Sequence, residues 1–276
     1  MSIAEILSGH TGGAVRVSPD GIKYAAMGRG EPVPDPFRLR ILMPLICGDQ
    51  ARRWVLVRTL ALIAIGPLSC LYLAQRGAPW AAGLAVYGLA GVTTIAWRLP
   101  VLVDLPAMVL TLAAVCLLAY SHPLAGVAAG LLLVAAAATK ESTPIFAAAW
   151  AWHPLPLVAL AIPAVLAWRE PKAETNEPPL THPWRTAWAT HRPVLTDGAT
   201  LFLPWGPLLV AVLALSWPLV VTVALAYAQL ARSTDRTRLY QWAFPPVLAT
   251  AAVVWPWSIP LFVLAAIFNP WKGDGL

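Results

Sequence analysis

The chain has 276 residues, of which 59% are hydrophobic and only 12% are charged, and its formal net charge at pH 7 is +6. Because soluble domains carry roughly 25% charged residues, this composition argues against an ordinary soluble protein and predicts a helical protein that resides in a membrane. The positive charge is not gathered into a basic run. We therefore expect no nucleic-acid partner, and anionic lipid or a phosphorylated substrate is the better candidate.

The first segment, residues 1–53, is predicted to lie outside the membrane. Its N-terminus has no basic region and too short an apolar run for a signal peptide. Asp20 is the lone acid of the stretch "SPDGIKY", and it lies either in a disordered polar tail or in a functional loop. Downstream, "DPFRLRILMPLI" places Arg38 and Arg40 among apolar residues, which predicts a short amphipathic helix in the membrane interface with both arginines on one side.

Apolar runs of about 20 residues predict membrane-spanning helices. We expect a first group of spans within residues 54–168, at 54–75, 80–97, 101–120 and 123–139. The run 144–168 is interrupted by "WHPLP", so it is either one kinked span or a short hairpin. The fold prediction is an all-α polytopic membrane helix bundle with about seven to ten membrane segments, including interfacial and re-entrant helices.

Residues 169–198 form the only long polar segment, and a second transmembrane group is predicted over 199–276. The polar segment contains aromatic and basic residues at helical spacing, which predicts an interfacial helix: Trp184, Arg185, Trp188, His191 and Arg192. Its tryptophans either anchor the chain at the interface or contact an acceptor. The runs 201–230 and 244–268 contain prolines and are expected to bend or double back.

Charged residues at the edges of the apolar runs are candidate site residues, because such residues are expensive beside hydrocarbon and often functional. Asp104 lies near the start of the third span, where it either pairs with Arg98 at the interface or points into a cavity. Lys140 and Glu141 follow the fourth span. Lys140 is favoured near a helix C-terminus by the dipole, whereas Glu141 calls for a partner.

The third and fourth spans are expected to form a hairpin with a tight turn at "SHP". Asp104 opens this hairpin and Glu141 closes it, so both residues are predicted on the same side. Farther along, "STDRTRLY" carries Asp235, Arg236 and Arg238. These residues belong either to a solvated loop or to an anion site, because the planar arginine fork matches phosphate oxygens.

Four stretches occur in an order that resembles the GT-C superfamily of polytopic glycosyltransferases, and bacterial mannosyltransferase-like members in particular. They are "SPDGIKYAAMGRG" with "DPFRLRILMPLI", then "VDLPAMVLTLAA", "ATKESTPIF" and "STDRTRLYQWAFPPVL". The resemblance covers roughly residues 18–250, and the chain is similar to a short form that lacks the usual first spanning helix.

The resemblance implies a role for each motif. Asp20 corresponds to the acid of the first extracytoplasmic loop, which acts as general base, and Asp104 corresponds to a second acid. Lys140 and Glu141 correspond to a basic–Glu pair at the end of a span. The late motif is represented by Asp235 and Arg236.

The expected activity is transfer of a sugar, with inversion, from a polyprenyl-phosphate donor to the hydroxyl of a lipid, glycan or protein acceptor. The phosphate is expected to be held by arginines and their neighbours: Tyr24, Arg38, Arg40, Lys140, Asp235, Arg236 and Arg238. The acids Asp104 and Glu141 either orient the arginines or bind a divalent cation. No cofactor is certain, and membrane lipids are expected neighbours.

The implied location is a bacterial-type inner (cell) membrane with the active site facing outward. Two other classes of protein stay open from the sequence. One is a non-enzymatic transporter or flippase subunit for a lipid-linked substrate, because buried acids and arginines also serve such proteins. The other is an inactive GT-C relative that acts as a partner.

Overall fold

The computed structural model describes residue 3 and residues 17–34, 37–89, 92–169, 203–214, 216–229 and 241–268. These residues are mostly helical and none of them forms a strand, which confirms the all-α prediction. The α-helices of the described part are α1 Pro19–Gly28, α2 Leu42–Cys47, α3 Ala51–Gln75, α4 Thr94–Arg98, α5 Asp104–Leu118, α6 Pro123–Thr139, α7 Thr143–Ala151, α8 Ala161–Arg169, α9 Trp217–Ala228, α10 Phe244–Val254 and α11 Ser258–Phe268. Its 3-10 segments are Phe37–Leu39, Trp80–Gly88, Leu155–Leu160, Leu203–Ala214 and Gln241–Ala243.

The chain divides into two compact units. Unit 1 contains Met1–Ile65 and Ala96–Asn176, and unit 2 contains Gly66–Ile95 and Glu177–Leu276. Helix α3 contributes residues to both. In unit 2, the segment Leu203–Ala214 packs against α10 and α11. The candidate site residues that the structure describes all belong to unit 1.

Helix α3 is the one helix in the described part that is long and apolar enough to cross a membrane, judged by length and composition. Its 25 residues span about 37 Å at 1.5 Å per residue. Large apolar side chains are exposed on it, with Leu56, Leu60 and Ile63 all more than half accessible. The other apolar helices of the described part have 10–17 residues, so the polytopic bundle stays a prediction.

The α5–α6 hairpin is confirmed, and these two helices form the most extensive helix pair in unit 1. His122 begins α6, with its Nδ1 accepting a hydrogen bond from the backbone N–H of Leu124 at 3.2 Å. Buried alanines such as Ala114 and Ala136 allow close packing of apolar helices. The start of α5 and the end of α6 therefore lie at the same end of the hairpin, as the ion pair between Lys140 and Asp104 requires.

Two predicted spans are organised differently from the simplest expectation. The run 80–97 is not a single helix, because it divides into the 3-10 segment Trp80–Gly88 and α4. A Cβ at Gly83 would lie 2.3 Å from the backbone nitrogen of Cys70, so the segment packs against the α3 backbone. In the run 144–168, Trp152 has a φ of 55°, and α7 packs against the next segment. The run is therefore interrupted at Trp152, and the packing of α7 against the next segment favours the short-hairpin alternative.

Helix α1 contains Asp20, so the disordered-tail alternative for this acid is wrong. Ser18 caps the helix by accepting a hydrogen bond from the Gly21 N–H at 3.0 Å, and Pro19 suits the first turn. The predicted interfacial helix after it is also wrong as one element, because the described residues form a 3-10 turn at Phe37–Leu39 and then the separate helix α2.

Candidate functional site

A buried ion pair, here called the inner pair, joins the two ends of the α5–α6 hairpin. Lys140 Nζ donates to Asp104 Oδ1, and the two side chains are 5% and 9% exposed. Asp104 lies in the first turn of α5, where the helix dipole favours an acid. Lys140 directly follows α6, and its carbonyl accepts a hydrogen bond from the Thr143 hydroxyl at 2.8 Å. The pair neutralises two charges that would each be costly alone in this interior.

A second ion pair, the outer pair, lies beside it and is more open. Arg40 Nε donates to Glu141 Oε2 at 2.7 Å, and Arg40 Nη2 donates to Glu141 Oε1 at 2.8 Å. This two-bond fork is the strong geometry for a guanidinium and a carboxylate. The side chains are 12% and 27% exposed, so the outer pair reaches the surface of unit 1. Arg40 is therefore the partner that Glu141 was expected to need.

Tyr24 links the outer pair to helix α1. Arg40 Nη1 donates to the phenolic oxygen at 2.8 Å, and the ring is almost fully buried. It contacts Phe37 edge to face at 5.5 Å between centroids, and Trp54 lies 6.0 Å away on a tilted plane. The phenol is thus held in place both by its ring contacts and by the guanidinium.

The environment of Tyr24 keeps its hydroxyl protonated. Burial raises the pKa of Tyr24 to about 12, and it outweighs the opposing positive charge of Arg40. The carboxylates of Asp104 and Asp20 raise the pKa of the phenol further. Asp20 lies one turn before Tyr24 on α1.

Glu141 is ionised for a different reason. Burial alone would raise the pKa of Glu141, but the hydrogen bonds and charge of Arg40, with the charge of Lys140, outweigh burial and hold that pKa below its ordinary value of 4.5. The outer pair therefore consists of two full charges near neutral pH.

Five residues that sequence reasoning selected are thus connected by two ion pairs and a hydrogen bond in unit 1, and Asp20 lies one turn before Tyr24 on α1. We call these six residues the charge cluster: Asp20, Tyr24, Arg40, Asp104, Lys140 and Glu141. They come from α1, the turn before α2, the start of α5 and the end of α6. Arg38 does not follow its neighbour. Its Nη1 donates to the carbonyl of Ala167 in α8 at 3.1 Å, and the residue is 6% exposed. The expectation of one helix with both arginines on one side is wrong, because the two residues belong to no common helix and bind different partners.

Three candidate residues, Asp235, Arg236 and Arg238, lie outside the described residues, as does the predicted interfacial helix around residues 184–192. Sequence reasoning missed the aromatic residues that contact the Tyr24 ring. Phe37 and Trp54 hold the Tyr24 ring, and Lys23 Nζ lies 4.5 Å from the Phe37 ring centroid. Each residue alone resembles any apolar core residue, so no sequence signal distinguishes them.

The charge cluster is a poor match for a divalent cation. Within the described ranges, no group of three or more His, Cys, Asp or Glu side chains is arranged to hold a metal ion. Asp104 and Glu141 instead bind Lys140 and Arg40. This arrangement favours the alternative in which the acids orient the basic side chains.

Comparisons of the chain with protein-family models, curated proteins and solved structures found no significant match.

Proposed function

We propose that the chain is an integral membrane glycosyltransferase of the GT-C type that moves a sugar from a polyprenyl-phosphate donor to an acceptor hydroxyl. The observation that carries the proposal is the convergence of the charge cluster. Asp20, Asp104, Lys140 and Glu141 belong to three of the four stretches that resemble this superfamily, and they lie around one tyrosine and one arginine. The convergence includes Arg40 and Glu141, which are 101 positions apart in the chain and form a two-bond ion pair.

Asp20 is the proposed general base. It is partly exposed in the first turn of α1, so an acceptor could reach it, whereas Asp104 is sealed in the inner pair. In the proposed step, Asp20 takes the proton of the acceptor hydroxyl. At the same time the acceptor oxygen attacks the anomeric carbon from the face opposite the phosphate. The bond between that carbon and the phosphate oxygen breaks, and the phosphate leaves with the electron pair. General-base help of this kind contributes roughly 10²–10⁴ in rate.

The proposed location is the bacterial-type inner (cell) membrane, with the charge cluster at its outward side. The length and composition of α3 and the large apolar side chains on its surface support a membrane. On α6, Leu124, Val127 and Leu131 are also more than 60% exposed. An apolar bilayer would cover such faces, because they would otherwise be an aggregation liability in water.

The test is sugar transfer in liposomes. The full-length chain would be reconstituted with polyprenyl-phosphate [¹⁴C]mannose and membranes that supply acceptors, and radioactivity in the product would be counted. We expect transfer by the wild-type protein and a loss of at least about 100-fold in Asp20→Asn.

A matched control for this test is Asp49→Asn, because Asp49 is another partly exposed acid of unit 1 but contacts Arg29 and the backbone of Ile3. This variant should keep its rate. Near-full turnover by Asp20→Asn would remove Asp20 as the base.

The second candidate is an inactive relative that serves as a partner protein. The observation that favours it is charge neutrality, because Arg40 and Lys140 are each already paired with a carboxylate of the chain. Under this alternative the wild-type protein transfers no label from any polyprenyl-phosphate sugar, while its charge pairs still contribute to stability.

A further inference from the structure

Arg58, in the first third of α3, carries a positive charge that no carboxylate of the described residues neutralises. The residue is 8% exposed. Its Nη1 donates to the backbone carbonyl of Trp97 at 2.9 Å, whereas its Nε is fully buried and has no hydrogen-bond partner. A buried charge without a counter-ion is costly, so Arg58 calls for an anion.

The edge of a guanidinium that carries Nε and Nη2 can bind an oxyanion through two parallel hydrogen bonds. Arg40 uses these two atoms to bind Glu141. Arg29 uses the same two atoms to bind Glu31. At Arg58 neither atom has an acceptor in the described part of the chain. The two ion pairs of the chain itself thus indicate what this edge of Arg58 is suited to bind, which is one group with two oxygens.

Trp97 orients the rest of the Arg58 guanidinium. Its carbonyl holds Nη1, and its ring centroid lies 4.4 Å from the central guanidinium carbon in a cation–π contact. Both residues belong to unit 1. Trp97 is 65% exposed, and exposed side chains change rotamer within nanoseconds. The ring that lies over Arg58 therefore also gives a ligand a route to it.

The position of Arg58 favours a lipid headgroup as the source of the anion. The residue lies about 10 Å from the start of α3 at 1.5 Å per residue, near one end of the proposed span. Long basic side chains near the end of a span reach towards the membrane interface, and an exposed tryptophan is typical of that level. Three other arginines, Arg52, Arg53 and Arg98, lie at this end of α3 or directly after Trp97. None of them forms an ion pair within the described residues, and unpaired basic residues at this level attract anionic lipid.

We propose that the Nε–Nη2 edge of Arg58 binds the headgroup phosphate of one anionic phospholipid, with the Trp97 ring stacked on the guanidinium. The phosphodiester of such a lipid offers two unsubstituted oxygens and carries the negative charge that Arg58 lacks nearby. The site shares no residue with the charge cluster. It rests on the membrane location in the proposed function and is independent of sugar transfer.

The experiment is native mass spectrometry of the full-length chain released from non-ionic detergent micelles. The probes are dioleoylphosphatidylglycerol and dioleoylglycerol, which has the same acyl chains but no phosphate. We expect one molecule of the phospholipid to bind at least about tenfold more tightly than dioleoylglycerol, the size of a hydrogen bond to a charged group. Equal retention of the two probes would overturn the phosphate site. Displacement of the phospholipid by millimolar inorganic phosphate would assign the site to a soluble anion and overturn the lipid headgroup.

Two variants test the geometry of the edge. Arg58→Lys keeps the charge but loses the planar fork, and Arg58→Met removes the charge as well. We expect phosphatidylglycerol to bind about tenfold more weakly to Arg58→Lys, and more weakly still to Arg58→Met. The matched control is Arg29→Met, which removes the same charge from an exposed position of unit 1 and should leave the affinity unchanged. Equal affinity in all four proteins would overturn the inference.

Thermal unfolding in micelles separates lipid binding from a purely structural role of Arg58. Without phospholipid, Arg58→Met should be at least as stable as the wild-type protein, because it removes a buried charge that has no counter-ion. Phosphatidylglycerol at a hundred times its Kd should raise the wild-type Tm by about 5 °C and leave that of Arg58→Met unchanged. A variant that unfolds at lower temperature without lipid, and gains as much from lipid as the wild-type protein, would overturn the site.

Failure of this inference differs from failure of the proposed function. Sugar transfer without lipid binding that depends on Arg58 would refute only the lipid site, whereas such binding without any transfer would refute only the enzyme.

Discussion

Replacing Lys140 with methionine is the sharpest test of the inner pair. Methionine is of similar length, so it preserves packing but leaves the Asp104 carboxylate without its cation. The two side chains are 5% and 9% exposed, so water can do little to replace the lost partner. Removing one member of a buried pair costs about 3–5 kcal/mol. We therefore expect Lys140→Met to lower the free energy of unfolding by about that amount.

A double variant separates the pair from its surroundings. Asp104→Asn with Lys140→Met removes both charges, and an uncharged pair no longer carries the penalty of a lone buried ion. Replacing both partners is often close to neutral. We expect the double variant to recover most of the loss, to within about 1–2 kcal/mol of the wild-type protein.

The assay is urea unfolding in detergent micelles, followed by the fluorescence of the 14 tryptophans. The control is Arg29→Met, which breaks an ion pair whose side chains are 37% and 52% exposed. Such exposed pairs often contribute nothing measurable. If Lys140→Met were no more destabilising than Arg29→Met, the conclusion that the inner pair is closed to water would be wrong.

Two further predictions concern packing and pH. Gly28→Ala should destabilise the fold by about 1–3 kcal/mol, because the added Cβ would lie 2.5 Å from the carbonyl carbon of Gly48. A Cβ added at Gly126 would meet open space, so Gly126→Ala should stabilise α6 by up to about 1 kcal/mol. Urea unfolding compares the two, and equal effects would contradict the close approach. The lowered pKa of Glu141 means that its bond to Arg40 contributes fully above pH 4.5 and is lost as pH falls through the lower folded value. Unfolding measured from pH 7 to pH 3 should show this loss in the wild-type protein and a flatter dependence in Glu141→Gln, while identical profiles would refute it.

The hairpin could be predicted because its signals are local. The apolar runs, the "SHP" turn and the charges at both ends are visible in the sequence, and α5 and α6 follow them. The placement of Asp104 and Glu141 at one end then follows from the direction of the chain. The sequence did not identify their partners. Asp104 had a nearby candidate in Arg98, but Lys140, 36 positions away, forms the ion pair.

Features that depend on tertiary contacts were less predictable. Arg40 and Glu141 are 101 positions apart, and only the folded chain brings them together. Arg38 sits two positions from Arg40, yet it binds the Ala167 carbonyl. Residues two positions apart lie about 200° apart around an α-helix, so a helical pattern does not by itself place both arginines on one side, and the chain forms a 3-10 turn at Phe37–Leu39 instead. Hydrophobicity alone also cannot reveal that Gly83 lets the run 80–97 pack against a neighbouring backbone.

The most direct measurement of the central claim is photo-crosslinking with a lipid-phosphate sugar. A polyprenyl-phosphate mannose with a diazirine on its first isoprene unit would be bound to the full-length chain in liposomes, irradiated and mapped by mass spectrometry. Our account predicts crosslinks in the peptides that contain Tyr24, Arg40 and Glu141, and their loss when unlabelled donor is added in excess. Crosslinks spread over the exposed apolar faces of α3 and α6, and unchanged by competitor, would contradict a donor site at the charge cluster.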